Sequence, residues 1–141
     1  MRYMIIVKQT PEGENTMPPP ELFEAMGKFN QDLVDAGVLL AAEGLLPSKD
    51  GAIVTYRDGG RFDVKDGPFT EAKELIAGFW ILQLKSLEEA IEWTKRIPGY
   101  QDGEHVEIRR IGEMSDYEDV LSPDALAKEE AMRDQISKQA N

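Results

Sequence analysis

Two periods of apolar and polar positions alternate along this chain, and the order in which they occur specifies the fold. Tyr3 to Lys8 is apolar on both faces, as expected of a central strand covered twice. Gln9 to Pro20 holds four prolines, a glycine and two glutamates, and reads as a loop. From Glu21 the pattern turns helical: Leu22, Met26, Phe29 and Leu33 trace one stripe, and Gly37 is placed to stop that helix in a left-handed cap. Val38 to Leu46 is a second strand. Strict alternation puts Leu39, Ala41, Glu43 and Leu45 on one face, so Glu43 stands in an otherwise apolar row.

Ala52–Arg57 and Arg61–Lys65 flank Asp58-Gly59-Gly60, a hairpin signal because the turn needs positive φ. Phe62 and Val64 alternate with charged residues, which predicts one wet face. Leu75 to Leu84 is the next strand, where Gly78 marks a bulge or a close backbone approach. Ser86-Leu87-Glu88-Glu89 is a capping box. It opens a helix that buries Leu87, Ala90, Ile91, Thr94 and Ile97 and stops at Pro98-Gly99. His105 to Ile111 is the last strand.

The order strand, helix, strand, hairpin, strand, helix, strand predicts an α+β fold: a ferredoxin-like split βαβ plan with an extra hairpin. Helices cover one side of such a sheet. Both rows of the Leu75–Leu84 strand are too apolar for water, so a second copy is expected over the other side and the protein is expected to be a homodimer. Beyond Gly112 the chain is polar until Ser122-Pro123-Asp124, a good helix start. The helix to about Lys138 has only Leu126, Met132 and Ile136 as sizeable apolar residues, and is marginal alone. Residues 1–112 therefore read as one domain and 113–141 as an acidic extension.

Composition narrows the function classes. The chain has 141 residues and no cysteine, which removes disulfides, thiolate nucleophiles and cysteine metal sites. Its formal charge is −11, the wrong sign for direct nucleic-acid binding. No apolar run approaches the roughly 20 residues of a membrane span, and the N-terminal apolar segment is too short for a signal peptide. A cytoplasmic protein is expected. Residues 113–141 carry eight acids and three bases, a net of −5, so the extension is suited to touching a basic protein partner.

The densest chemistry lies in Asp66-Gly67-Pro68-Phe69-Thr70-Glu71-Ala72-Lys73-Glu74. Four charged side chains within nine positions abut a buried strand, and they must be solvated, mutually paired or kept for a ligand. If the segment is extended, Glu71 and Lys73 share a side; in a helical turn, Glu71 meets Glu74. The bland reading has Asp66 capping the turn and Lys73 bridging two acids. The functional one has Lys73 orienting an anion or enolate while a glutamate moves a proton. Glu43 has the same two readings: a solvated or paired strand residue, or a desolvated carboxylate fit to move a proton. Carboxylates at Glu43, Asp66, Glu71 and Glu74 could hold a hard cation, but no histidine-containing metal spacing accompanies them, and neither metal nor cofactor is expected. Trp80 reads as core or dimer interface, Tyr3 as strand with a hydroxyl to offer, and Phe69 as an apolar anchor. His105 reads as a strand-edge surface residue. Arg109 and Arg110 face opposite sides, so one of them at most reaches a shared pocket.

Several segments together resemble the DGPF group of the YCII-related proteins: Arg2-Tyr3-Met4-Ile5-Ile6, Ala42-Glu43-Gly44-Leu45, Asp66-Gly67-Pro68-Phe69 with Glu71, Lys73 and Glu74, Ala77-Gly78-Phe79-Trp80, the Leu87–Pro98 helix, and Val106-Glu107-Ile108-Arg109. The resemblance covers roughly residues 1–112. It implies a dimeric α+β barrel with a pocket between sheet and loops, and it implies company with extracytoplasmic-function sigma factors. Better-understood YCII-related proteins resemble enzymes using a His–Asp pair, but the single histidine here, His105, is not near the first helix, so that mechanism is not carried over.

These readings converge on a homodimer that binds a small polar molecule and moves a proton without a cofactor. Glu43, Lys73 and Asp66 are the expected catalytic groups; Glu71, Glu74, Phe69, Trp80, Arg109 and Tyr3 are the expected ligand contacts. The alternative is a non-enzymatic interaction module linked to a sigma factor, acting through the acidic extension.

Overall fold

The computed structural model describes residues 1–140. Met1–Arg110 forms one compact unit, and a second begins at Ile111. In the first unit β1 (Arg2–Gln9), α1 (Pro20–Asp35), β2 (Leu39–Gly44), the hairpin β3 (Ala52–Arg57) and β4 (Arg61–Asp66), β5 (Leu75–Gln83), α2 (Leu87–Thr94) and β6 (Val106–Arg110) follow in that order. Four of the strands make an antiparallel sheet in the order β2-β5-β1-β6, while β3 and β4 pair only with each other. This is the α+β arrangement of a ferredoxin-like fold with an inserted hairpin.

Both helices lie on one face of the sheet, and the apolar spacing explains how. Phe29 and Leu33 from α1 and Ala90 from α2 pack with Tyr3, Ile5, Trp80 and Leu82 in one buried cluster. Burying a side chain such as Leu33 contributes about 1.5–3 kcal/mol, so this cluster holds the unit together. Trp80 and Phe29 meet edge to face at 5.5 Å, and the Trp80 indole N–H donates to Asn30 Oδ1 at 2.8 Å. The indole is thus satisfied inside the core. At the end of α1, Val38 N–H donates to the Leu33 carbonyl and Gly37 N–H to that of Val34, with Gly37 at φ +72°. That is the left-handed glycine cap the sequence predicts.

Some local expectations change, and the one at Gly78 holds. The β2–β5 register slips between Leu39 and Ala41, so Leu39 pairs with Leu82 and Ala42 with Trp80 while Glu43 pairs with Phe79. Leu39 therefore leaves the row of Glu43 and turns to the helices, and Glu43 itself is exposed. Gly78 meets a close backbone approach: a Cβ there would lie 2.6 Å from the Glu43 carbonyl oxygen. The β1–β5 ladder also shifts register right beside it, between Val7 and Lys8. At α2, Glu89 N–H donates to Ser86 Oγ as a capping box requires, but the Glu89 carboxylate accepts from Lys85 N–H rather than from Ser86.

The second unit holds a short 3-10 turn at Met114–Tyr117 and the helix α3 (Pro123–Gln139). Ser122 Oγ accepts from Ala125 N–H at its start, and α3 has no buried residue. Among the described residues no helix is long and apolar enough to cross a membrane.

Candidate functional site

The Asp66–Phe69 turn is built from the backbone outward, and most of its chemistry is spent within the chain. Gly67 N–H donates to the Gly51 carbonyl at 2.9 Å, and Phe69 N–H donates to Ser48 Oγ at 2.9 Å. Ser48 in turn donates from both its N–H and its hydroxyl to the Glu14 carboxylate, at 2.6 Å each. Gly67 is required there because a Cβ would overlap the Ser48 carbonyl oxygen. The Phe69 ring lies against Gly51. Three separate segments, around Glu14, Ser48 and Phe69, are thereby tied together, and the Gly67–Pro68 bond is cis.

Antiparallel pairing brings the end of β1 beside the starts of β5 and β6: Gln9 faces Leu75, and Val7 faces Val106. Around that end of the sheet, the loop after β1, the first turns of α1 and the loop before β6 enclose a cavity of about 810 Å³. Val7, Leu22, Met26 and Pro98 give it apolar walls, while Lys8, Glu74, Glu104 and His105 bring charge. A few well-placed polar groups in an otherwise apolar hollow is the usual composition of a small-molecule site. A smaller cavity of about 240 Å³ lies at the β2 edge, with Glu43, Asn30, Phe79 and Trp80 among its walls.

A line of alternating basic and acidic side chains starts at the larger cavity. His105 Nε2 lies 2.6 Å from Glu74 Oε1, Glu74 Oε2 lies 3.9 Å from Lys8 Nζ, and Lys8 Nζ lies 3.3 Å from Glu107 Oε1. Arg109 closes the line at 3.2 Å from Glu107. Lys8 is its least exposed member, with 19% of its side chain accessible, so its charge is the one most dependent on these acids. Hydrogen bonds, from Arg109 first and then Lys8, hold the Glu107 carboxyl below its usual range. On the cavity wall the Tyr100 hydroxyl is pushed up to about 12, mainly by burial and secondly by the Glu104 charge. A neutral phenol is therefore kept there over the whole physiological range.

The residues singled out from sequence divide clearly. Glu43 lines the smaller cavity and is exposed, so the desolvation inferred from its apolar row does not arise within the chain. Asp66 and Lys73 are exposed and line neither cavity. The three do not share a hollow. Glu71 is exposed and pairs with Lys65 at 3.7 Å. Phe69 is half-buried at the turn, and Tyr3 and Trp80 are core, 3% and 6% exposed. Arg109 sits at the outer end of the ion line. Of the set, only Glu74 reaches the larger cavity.

Lys8 and His105 are the members that pattern reading missed. Their signal was topological: Lys8 lies near the end of β1 and His105 just before β6, and antiparallel pairing brings the end of β1 beside the starts of both β5 and β6. Among the described residues no group of three or more histidine or acidic side chains is placed to hold a metal ion.

Comparison with known proteins adds two findings. A family model, that of the YCII-related domain, matches residues 1–115. An uncharacterised protein of Rhizobium meliloti (strain 1021) is 36% identical over 62 residues, which make up 44% of this chain and 49% of that protein. The match thus spans about half the length of this relative.

Proposed function

The chain belongs to the YCII-related family, and from that premise we propose that it is a homodimer that binds a small polar molecule in the cavity at the end of β1 and moves a proton there without a cofactor. The reading rests on one observation: the 2.6 Å pair of His105 and Glu74 on the wall of the larger cavity. With Nε2–H donating to the carboxylate, Nδ1 is left as the acceptor of the neutral ring, the atom that would take a proton. Lys8 supplies a fixed positive charge beside Glu74, suited to an oxyanion or enolate. In this reading Glu74 and His105 take the part that sequence pattern gave to Glu43 and Lys73. The Asp66-Gly67-Pro68-Phe69 segment supports membership of the DGPF group within the family. The homodimer reading is supported by the sheet face away from α1 and α2, where Met4, Ile6, Phe79 and Ile81 form an apolar row.

Because His105 is the single histidine, its imidazole gives one unambiguous NMR reporter. A screen of small hydroxy and keto compounds should yield binders that move the His105 resonances together with those of Val7 and Tyr100. Glu74→Gln should weaken them by roughly tenfold or more, the scale of losing one charge-assisted bond. Binders that leave the imidazole unmoved, or that bind Glu74→Gln as tightly, would overturn the proposal.

A second reading, an interaction module linked to a sigma factor, is favoured by α3, which has no buried residue in a segment of net charge −5. On that reading, removing residues 113–141 abolishes capture of a basic partner and leaves the first unit folded; equal capture by the truncated chain would count against it.

A further inference from the structure

The β3–β4 hairpin is amphipathic, and its apolar face is bare. Val54 stands opposite Val64 and Tyr56 opposite Phe62, so these four share one face. The Tyr56 and Phe62 rings meet edge to face at 5.2 Å. The other face pairs Thr55 with Asp63 and Ile53 with Lys65, and is closed by a 2.6 Å ion pair from Arg57 to Asp63. A hairpin with one wet face was expected from sequence. Instead every residue of β4 is exposed, and the apolar four are 50%, 79%, 58% and 65% accessible. Among the described residues, no strand or helix beyond the hairpin packs extensively on it. A lone two-stranded ribbon is marginal in water, and a continuous apolar face on such a ribbon normally marks an interaction surface.

We propose that this hairpin is an intersubunit arm whose apolar face, Val54, Tyr56, Phe62 and Val64, docks on a second copy of this chain, with the Asp66–Phe69 turn holding its root. The inference rests on the homodimer reading and gives that dimer a second contact. Three observations point to a copy of the chain as the occupant. The first is area: the four side chains expose roughly 500 Å², taking about 150–250 Å² for each whole aromatic. Two arms docked reciprocally, each covering an equal area of its partner, would remove roughly 2,000 Å² from water, at the upper end of the range of about 1,200–2,000 Å² for specific interfaces. The second is charge. Residues 52–66 carry three bases and three acids in a chain of formal charge −11, so the arm adds no net repulsion of its own when it meets another acidic copy. The third is the root. Bonds from Gly67 to Gly51 and from Phe69 to Ser48, with Ser48 tied to Glu14, restrict the direction in which the arm leaves the domain. Less freedom is then lost on docking.

Light scattering at matched concentrations tests this, with hydrogen exchange read on the amides of 53–57 and 62–65. The wild-type chain should have twice the single-chain mass and protected hairpin amides. Tyr56→Asp/Phe62→Asp should weaken self-association by roughly a hundredfold or more, as expected for two anchoring aromatics, and should leave the hairpin amides unprotected. Ile53→Ser, on the other face, should change neither readout. Tryptophan emission from Trp80 and Trp93 checks that the domain stays folded, and Tyr56→Ser/Phe62→Ser replaces the aspartate pair if it does not. A wild-type mass equal to one chain would overturn both the arm and the homodimer. A two-chain mass with unchanged hairpin protection in the aromatic variants would overturn the arm alone.

Discussion

Ser48→Ala should destabilise the first unit by about 2–3 kcal/mol, although Ser48 lies in a short 3-10 turn (Ser48–Asp50) outside the main sheet and its two helices. Its hydroxyl makes two bonds that alanine cannot: it donates to Glu14 Oε2 at 2.6 Å and accepts from Phe69 N–H at 2.9 Å. The first is assisted by charge and contributes about 1.5–3 kcal/mol; the second contributes about 0.5–1.5 kcal/mol. Both lie in a half-buried setting, where water partly replaces what is lost, so the lower half of the combined range applies. The Ser48 N–H bond to Glu14 survives the substitution. Urea unfolding followed by tryptophan emission isolates the effect, because Trp80 and Trp93 both belong to the first unit. With a slope of about 1–3 kcal/mol per molar, the midpoint should fall by about 1–2 M at matched protein concentration. A double-mutant cycle with Glu14→Gln should return a coupling of about 1 kcal/mol or more. A loss below about 0.5 kcal/mol at unchanged slope, or additive effects of the two substitutions, would refute the view that this turn is a structural clamp.

Two further outcomes follow from the fold. Gly78→Ala should destabilise by about 1–3 kcal/mol and loosen the β2 edge, because its Cβ would sit 2.6 Å from the Glu43 carbonyl oxygen and 3.2 Å from Gly44 Cα; faster exchange of the β2 amides relative to those of β1 checks it. The Tyr100 hydroxyl, raised from 10.0 to about 12 in the folded chain, is held more tightly there than after unfolding. Its contribution is therefore whole below pH 10 and is lost as pH rises toward 12. Urea midpoints between pH 9 and 12 should fall less steeply for Tyr100→Phe than for wild type, and equal slopes would contradict this.

The parts of the fold governed by local periodicity were legible. The stripe of Leu22, Met26, Phe29 and Leu33, the cap at Gly37 and the Asp58-Gly59-Gly60 turn all form as their residues dictate. What depended on how elements meet was not. Perfect alternation along β2 placed Glu43 in an apolar row, but one irregular position between Leu39 and Ala41 changed its company. Charge density drew attention to Asp66–Glu74, yet density along the chain does not imply convergence in space. Its glycine and its amides secure a turn, Glu71 meets Lys65, and Glu74 alone reaches across the sheet end to His105 and Lys8. Sequence pattern reads His105 as a strand-edge surface residue. It is exposed and adjoins the edge strand β6, but its partner, Glu74, comes from the segment just before β5.

The most direct test sets two pairs of variants against one another with a single binder from the His105 screen. Asp66→Asn/Lys73→Met alters the signature segment without touching the larger cavity, whereas Glu74→Gln/His105→Asn alters the pair on its wall. Calorimetric titration should give wild-type affinity for the first pair and a loss of roughly tenfold or more for the second. Binding abolished in the first pair and intact in the second would place the chemistry back in the Asp66–Lys73 segment and contradict the account.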